Sequence, residues 1–330
     1  MLPGTVPGDW SQAFVLDART VQLGAGAQAA RIIGPAQQTL KRLGEARTAG
    51  GIVEAAAAPG TAEQGLRVRA RRQLAAVLID GLPRPGALLA EQLARLPLGL
   101  LLLRDDHPVD REDVADGYPA AAVGQTRAGA VRRSCLRQNP EMTVITCSVL
   151  PPQPPATPEA AAPGLPQEPV DIHVIFAARA VDPARLFAAA ARARLVLPVV
   201  HHLEEWQIGP LLSRERGPCP QCLELHGTAS DPHWTAAQAA LAEEAPIEER
   251  SSFFEEDLGF AGHAAPAQES AAAVVASLLA REIQLVIDGQ FMPQTAARKI
   301  GLGAATGWLS LEPVTAHPEC ECRLRTPGPG

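Results

Sequence analysis

The chain has 330 residues, of which 46% are hydrophobic and 20% charged, and a formal net charge of −7. That length carries one large or two modest domains with ample apolar material for a core. The acidic balance argues against a nucleic-acid partner, whose binders are usually basic. No run reads as the ~18 apolar residues that a membrane span needs; the two most apolar, 96–103 and 271–280, are too short. The opening residues lack the charged and apolar regions of a signal peptide, so the expectation is a cytoplasmic protein.

Residues 1–73 read as a small α+β unit. Short strands are expected at 14–16, 20–23 and 30–33, and helices at 37–46 and 52–58. Two strands, a third strand and helices suit a winged-helix-like module. From residue 74 the pattern changes. Residues 74–79 are a continuous apolar run, the mark of a strand buried on both faces. A short loop from Gly81 to Gly86 follows, then a helix over 87–96 with Leu88, Leu89, Leu93 and Leu96 at helical spacing, then a second buried strand over 98–103. This is a βαβ unit of a doubly wound α/β fold. A helix over 124–138 and a strand over 142–147 extend it.

Residues 151–169 hold eight prolines in nineteen positions. Neither helix nor central strand tolerates that density, so the segment reads as an extended insertion within the domain. The α/β pattern then resumes with strands at 174–177 and 195–200, a helix at 183–193 and a strand at 205–212. A long helix over 270–287 is closed by Gly289, and a strand is expected over 309–313. The isolated pairs Gly24/Gly26 and Gly301/Gly303 read as turns rather than phosphate loops. His201, His202, Glu204 and Glu205 follow a buried strand, where a polar loop is the simplest reading and a metal or acid–base site the sharper one. The acids from Glu243 to Asp257 read as a solvated face. Trp206 and Trp234 read as packing residues.

Of the six cysteines, Cys135 and Cys147 stand apart and read as buried thiols. Cys219 and Cys222 form one close pair, and Cys320 and Cys322 another. In a reducing cytosol, clustered cysteines are metal ligands more often than disulfides. Two such pairs complete a tetrahedron of thiolates around Zn2+. A closed four-sulfur shell leaves no position for water or substrate, so the site is structural, in a subdomain formed by 213–226 and 313–324. Two alternatives stay open: a redox Cys-x-x-Cys pair of the thioredoxin type, and His226 in place of one cysteine.

The buried strands together with the cysteine pairs resemble the ThiF/MoeB superfamily, related to ubiquitin-activating enzymes. The segment from Gly217 to Trp234 and the closing 317–322 resemble one branch, the ThiF-like partner proteins of YcaO cyclodehydratases in azol(in)e-peptide biosynthesis. The stretch 19–34 resembles the opening of that branch's peptide-recognition element. The resemblance implies a Rossmann-like domain over 74–330, preceded by a winged-helix unit over 1–73 that grips a precursor leader peptide. The partner is a YcaO-type enzyme. Homodimers are common in the superfamily, and nothing in this sequence requires one.

The superfamily binds ATP with a glycine-rich loop whose amides face phosphate. Here only its outer glycines, Gly81 and Gly86, remain. Pro83 and Pro85 lack amide donors, and their rings fill phosphate space. The acid that usually holds the ribose falls at Arg104, with Asp105 and Asp106 next. The superfamily's adenylation arginine segment is replaced around Asp116 to Pro119, and Ala177 and Ala178 stand where a catalytic aspartate aligns. The expectation is lost ATP binding, no catalytic residues and a scaffold rather than an enzyme. The alternatives are an active adenylating enzyme with a divergent loop and a structural subunit organising another enzyme.

Overall fold

The structure, a computed structural model, describes residues 13–23, 30–35, 37–39, 60–148, 170–214, 217–243 and 264–322. The chain divides into two compact units, Met1–Arg67 and Val68–Gly330. In the first, β1 (Ala13–Asp17), β2 (Thr20–Leu23) and β3 (Ala30–Ile33) form an antiparallel sheet in that order. The Asp17 carboxylate accepts from the Arg19 amide at 2.7 Å, which shapes the β1–β2 turn. The three expected strands are present. The helix expected over 37–46 is helical at 37–39; its remainder, the helix over 52–58 and the Gly24/Gly26 pair lie outside the described residues. A 15-residue helix not anticipated from sequence, α1 (Gly60–Leu74), follows. From Val68 on it belongs to the second unit, within which Arg72 makes a two-point ion pair with Asp288 at 2.7 Å per contact and Arg71 donates to the Asp288 carbonyl.

The second unit is a mixed α/β domain built on a nine-stranded, mainly parallel sheet. Its parallel strands are β4 (Ala76–Asp80), β5 (Leu100–Arg104), β6 (Val144–Thr146), β7 (Val170–Ala178) and β8 (Ala193–His202), in the order β6-β5-β4-β7-β8. That is a doubly wound arrangement, and the strand order reverses between β4 and β7. Antiparallel β9 (Glu205–Ile208), β11 (Arg298–Gly303) and β12 (Leu309–Pro313) continue it to one edge, and the short β10 (Leu212–Ser213) pairs with β8.

Side chains alternate across β4. Val77 and Ile79 enter a core with α2 (Arg84–Ala94), α4 (Arg127–Gln138) and α8 (Ala264–Asp288), while the short α3 (Arg111–Ala115) lies between α2 and α4 in the chain. Leu78 enters a core with α5 (Pro183–Ala190) on the opposite face. Pro85 lies in the first turn of α2, where its fixed φ suits the helix and its missing N–H leaves no bond unmade. In α8, Val275, Leu279 and Ile283 recur every four residues and are fully buried.

The membrane expectation needs one correction. The segment Glu269–Asp288 has the length and mean hydropathy, 1.6, of a membrane span, beyond the ten residues marked in sequence. Its buried stripe packs into the core shared with α2, and buried Glu282 accepts from the Thr295 amide at 2.8 Å and the Thr295 hydroxyl at 2.6 Å. A carboxylate so held marks α8 as a core helix of this domain.

A second correction concerns Gly301 and Gly303. They lie in β11, paired to β9 and β12, rather than in a turn. A Cβ on Gly301 would meet Glu205 Oε1 at 2.1 Å and Ser310 Oγ at 2.4 Å. The glycine answers to neighbouring side chains, not to local backbone bending.

Candidate metal centre and the closed loop after the first parallel strand

The four cysteines come together from two distant stretches. Cys219 caps α6 (Pro220–Ser230), with Pro220 at its first position, and Cys222 lies in the first turn. The Cys222 amide donates to the Cys219 carbonyl at 2.9 Å, a tight knuckle that turns both sulfurs the same way. After β12 the chain turns at His317, whose carbonyl accepts from the Cys320 amide at 3.1 Å.

Sγ–Sγ distances are 3.7 Å for Cys219–Cys222, 3.6 Å for Cys219–Cys320 and 3.4 Å for Cys222–Cys322. All four sulfurs lie within 4.8 Å of one another. A tetrahedral ion with metal–sulfur bonds of about 2.3 Å sets its sulfurs about 3.8 Å apart, so the quartet fits a four-thiolate ion. Cys219, Cys222 and Cys320 are buried and Cys322 is half-buried. Burial pushes the Cys219 thiol up to about 11, and burial with neighbouring thiols pushes Cys322 up as well. At Cys222 burial is outweighed by backbone N–H groups, including that of His317 at 3.3 Å, and the thiol is held down. A donor set this rich in thiolate sulfur suits a soft or borderline cation.

The two sequence alternatives separate here. The first pair does open a helix, as a redox pair would, but the second pair sits against it. His226 is turned elsewhere: its Nε2 lies 2.9 Å from the Thr315 carbonyl, and its ring stands edge-on to His317 at 4.7 Å. Among the described residues, the four cysteines are the one cluster of three or more His, Cys, Asp or Glu at ligating distance. Cys135 and Cys147 are buried thiols, pushed by burial up to about 12 and about 11.

The loop after β4 stands at the strand-order reversal, where open α/β sheets place ligands. Gly81 adopts φ +91°, and a Cβ there would lie 3.1 Å from both the carbonyl oxygen and the Cβ of Phe176. A Cβ on Gly86 would meet the Gly81 carbonyl at 2.9 Å and the Phe176 ring at 3.2 Å. Gly81 and Gly86 therefore let the loop pack on itself and on a buried phenyl ring near the end of β7.

The loop's polar groups are tied down internally. The Leu82 amide donates to Asp105 Oδ2 at 2.8 Å, the Gly81 amide to the Arg104 carbonyl at 2.8 Å, and the Tyr118 hydroxyl to the Leu82 carbonyl at 2.6 Å. Asp105, beside the Arg104 that the resemblance aligns with a ribose-holding acid, is buried. Its other oxygen faces the His107 amide at 3.1 Å and His107 Nδ1 at 2.9 Å. Arg84 extends away to the Gly117 carbonyl at 3.3 Å and to Glu269 at 3.2 Å. Burial, with Asp105 nearby, holds the Tyr118 phenol well above its ordinary range, so it stays a neutral donor.

The remaining sequence candidates are dispersed. His201 and His202 are the last residues of β8 rather than a loop. His201 stacks on Trp206 with ring centroids 4.5 Å apart, and burial, then His202, lowers its pKa. Arg179, beyond Ala178, takes φ +57°, with its amide on the His201 carbonyl at 2.7 Å. Trp206 belongs to the core, and the Trp234 ring lies against Gly227, so both tryptophans pack as expected. Glu243 ends α7 (Trp234–Glu243), and the acids beyond it lie outside the described residues. Sequence reading missed Phe176 and Tyr118, because their partners are 90 or more and 36 residues away, respectively. It also missed the ion cluster at Asp80, whose one local signal is an acid ending an otherwise apolar strand.

No protein-family model matches the chain, and no curated protein matches it. Solved structures do. The microcin C7 biosynthetic enzyme MccB in complex with N-formylated MccA is 15% identical with a TM-score of 0.54, covering 78% of this chain and 70% of that one. E. coli MccB with succinimide is 17% identical with a TM-score of 0.53, over 78% and 69% of the two chains. E. coli MccB with ATP is 16% identical with a TM-score of 0.52, over 78% and 69%. At these identities the likeness is one of fold.

Proposed function

We propose that this chain is a ThiF-like scaffold that binds the leader of a ribosomally made precursor peptide. It presents that peptide to a YcaO-type cyclodehydratase in the cytoplasm, and the YcaO enzyme itself consumes the ATP. The observation that carries the reading is the closed loop after β4. Its Leu82 amide is satisfied by Asp105, Pro83 and Pro85 offer no donors, and Phe176 fills the space above Gly86. An adenylating enzyme needs those amides free for phosphate.

A zinc ion on Cys219, Cys222, Cys320 and Cys322 has a structural part in this reading. It supplies a staple between α6 and the stretch after β12. The first unit, with its three-stranded sheet, serves as the peptide-recognition module over roughly residues 1–73, and the leader adds to it as a further strand, its main chain bonding to a sheet edge. Holding the leader makes modification of the rest of the peptide effectively intramolecular. The likeness to MccB, solved with its MccA peptide, supports peptide handling on this fold.

Two measurements test the reading. ATP–pyrophosphate exchange with the metal-loaded chain and its precursor peptide should stay at background. Fluorescence anisotropy should show saturable binding of a leader encoded beside this gene. Robust exchange abolished by Asp105→Asn would instead establish an active adenylating enzyme, the reading favoured by the solved ATP complex of MccB. No exchange and no leader binding would leave a structural subunit of another enzyme.

A further inference from the structure

We propose that Arg104 and Arg185, organised by the buried Asp80 carboxylate, form an oxyanion-binding clamp on the α5 side of the sheet. It lies across the sheet from Phe176 and the core around α2, and it stands whether or not the scaffold reading holds.

The clamp begins with an acid in an apolar strand. Asp80 ends β4 and is 3% exposed. Being next but one to Leu78, it points to the same face, toward α5. Arg104 ends the neighbouring β5, and its Nη1 donates to both Asp80 oxygens at 2.7 Å. Arg185 comes from the first turn of α5 and reaches Oδ2 at 3.0 Å. His173, on β7, approaches Oδ2 through Nε2 at 3.3 Å. Burial keeps that imidazole below its usual range and therefore neutral. One carboxylate thus faces two guanidiniums, and the cluster carries a net positive charge.

Three details point outward. The side chains of Arg104 and Arg185 are 31% and 32% exposed, whereas that of Asp80 is 4% exposed. Each arginine contacts Asp80 through a single terminal nitrogen, so its remaining N–H groups are turned from the carboxylate. A guanidinium fork presented in this way matches the paired oxygens of a carboxylate or phosphate. The position adds to this: the clamp sits at the carboxyl ends of β4 and β5 beside the strand-order reversal, and the start of α5 favours negative charge. A buried observation accompanies them: His173 Nδ1 has no hydrogen-bond partner, so the ring is not placed by a complete internal network.

The ligand class is an oxyanion with at least two accessible oxygens. A phosphate group and the carboxylate of a peptide share that chemistry. The test is arginine 15Nε NMR on the full, metal-loaded chain, titrated separately with inorganic phosphate and with acetate, with chloride balancing ionic strength. The expected result is saturable displacement of the Arg104 and Arg185 signals by one or both anions. Phosphate alone would indicate a phosphorylated ligand, and acetate alone a carboxylate. By calorimetry, Arg185→Gln should weaken the effective anion at least tenfold, as loss of a charge-assisted bond implies. Arg185→Lys, which keeps the charge beside Asp80 but loses the fork, should weaken it too and serves if Arg185→Gln fails to fold. Undisplaced signals with both anions, or unaltered affinity in the folded Arg185 variant, would overturn the clamp and leave a purely structural ion cluster.

Discussion

Replacing Asp80 with asparagine removes the charge on which Arg104, Arg185 and His173 converge. Burial alone would raise this acid. The hydrogen bond from His173 and the charges of Arg185 and Arg104 outweigh it, and the carboxyl is held at about 2 against an ordinary 3.8. The difference, 3.8 − 2 or just under two units, corresponds to about 2 kcal/mol. Because the folded value is the lower one, that stabilisation is complete above pH 3.8 and is lost as pH falls toward about 2. Urea unfolding at a series of pH values reads it directly. The native protein should lose about 2 kcal/mol across this acid window beyond whatever Asp80→Asn loses there. At neutral pH the variant should be weaker by about 3 kcal/mol, since two guanidiniums lose their buried partner. Parallel pH profiles for the two proteins, or equal stability at neutral pH, would refute the assignment of a charged, paired Asp80.

Three further outcomes follow from the same geometry. Gly99→Ala should destabilise the second unit by about 3 kcal/mol by denaturant unfolding, because its Cβ would lie 2.0 Å from the Gln73 carbonyl oxygen, a backbone atom with little room to yield. Tyr118→Phe should lower stability by about 1 kcal/mol and speed hydrogen exchange at Leu82, since the Leu82 carbonyl loses its bond from the hydroxyl. Cys222→Ser should abolish stoichiometric metal in the purified protein and loosen the segment from α6 to the end of β12, whereas Cys135→Ser should retain the metal; elemental analysis and limited proteolysis check both.

Much of the fold was legible because its signals are local. The apolar run before Gly81 and the helical spacing of Leu89 and Leu93 each report burial to anyone reading a window of ten residues. Even so, the edges moved. Leu74 belongs to α1, and β4 begins at Ala76. The strand expected over 205–212 is two strands, β9 and β10, divided around Gly209, whose would-be Cβ lies 3.1 Å from Thr295 Cγ2. The helices α6 and α7 were not foreseen: α7 has no buried residues and α6 only Pro220 and Cys222 at its start, so neither carries an apolar stripe to find.

The sequence by itself determined the metal quartet as a candidate, since two close cysteine pairs announce convergent sulfur whatever separates them. It also determined that the loop after β4 lacks two amide donors, because a proline removes an amide wherever it stands. Only the tertiary structure decided that four sulfurs meet within 4.8 Å while His226 turns to Thr315. It alone decided that Asp105 closes the loop by holding Leu82, that Phe176 lies over Gly86, and that Asp80 gathers two arginines and a histidine. The reason is physical. Donor chemistry and backbone capacity are properties of a residue, but which groups a buried carboxylate faces is set by strand order and by side-chain alternation across a sheet, which join residues a hundred positions apart.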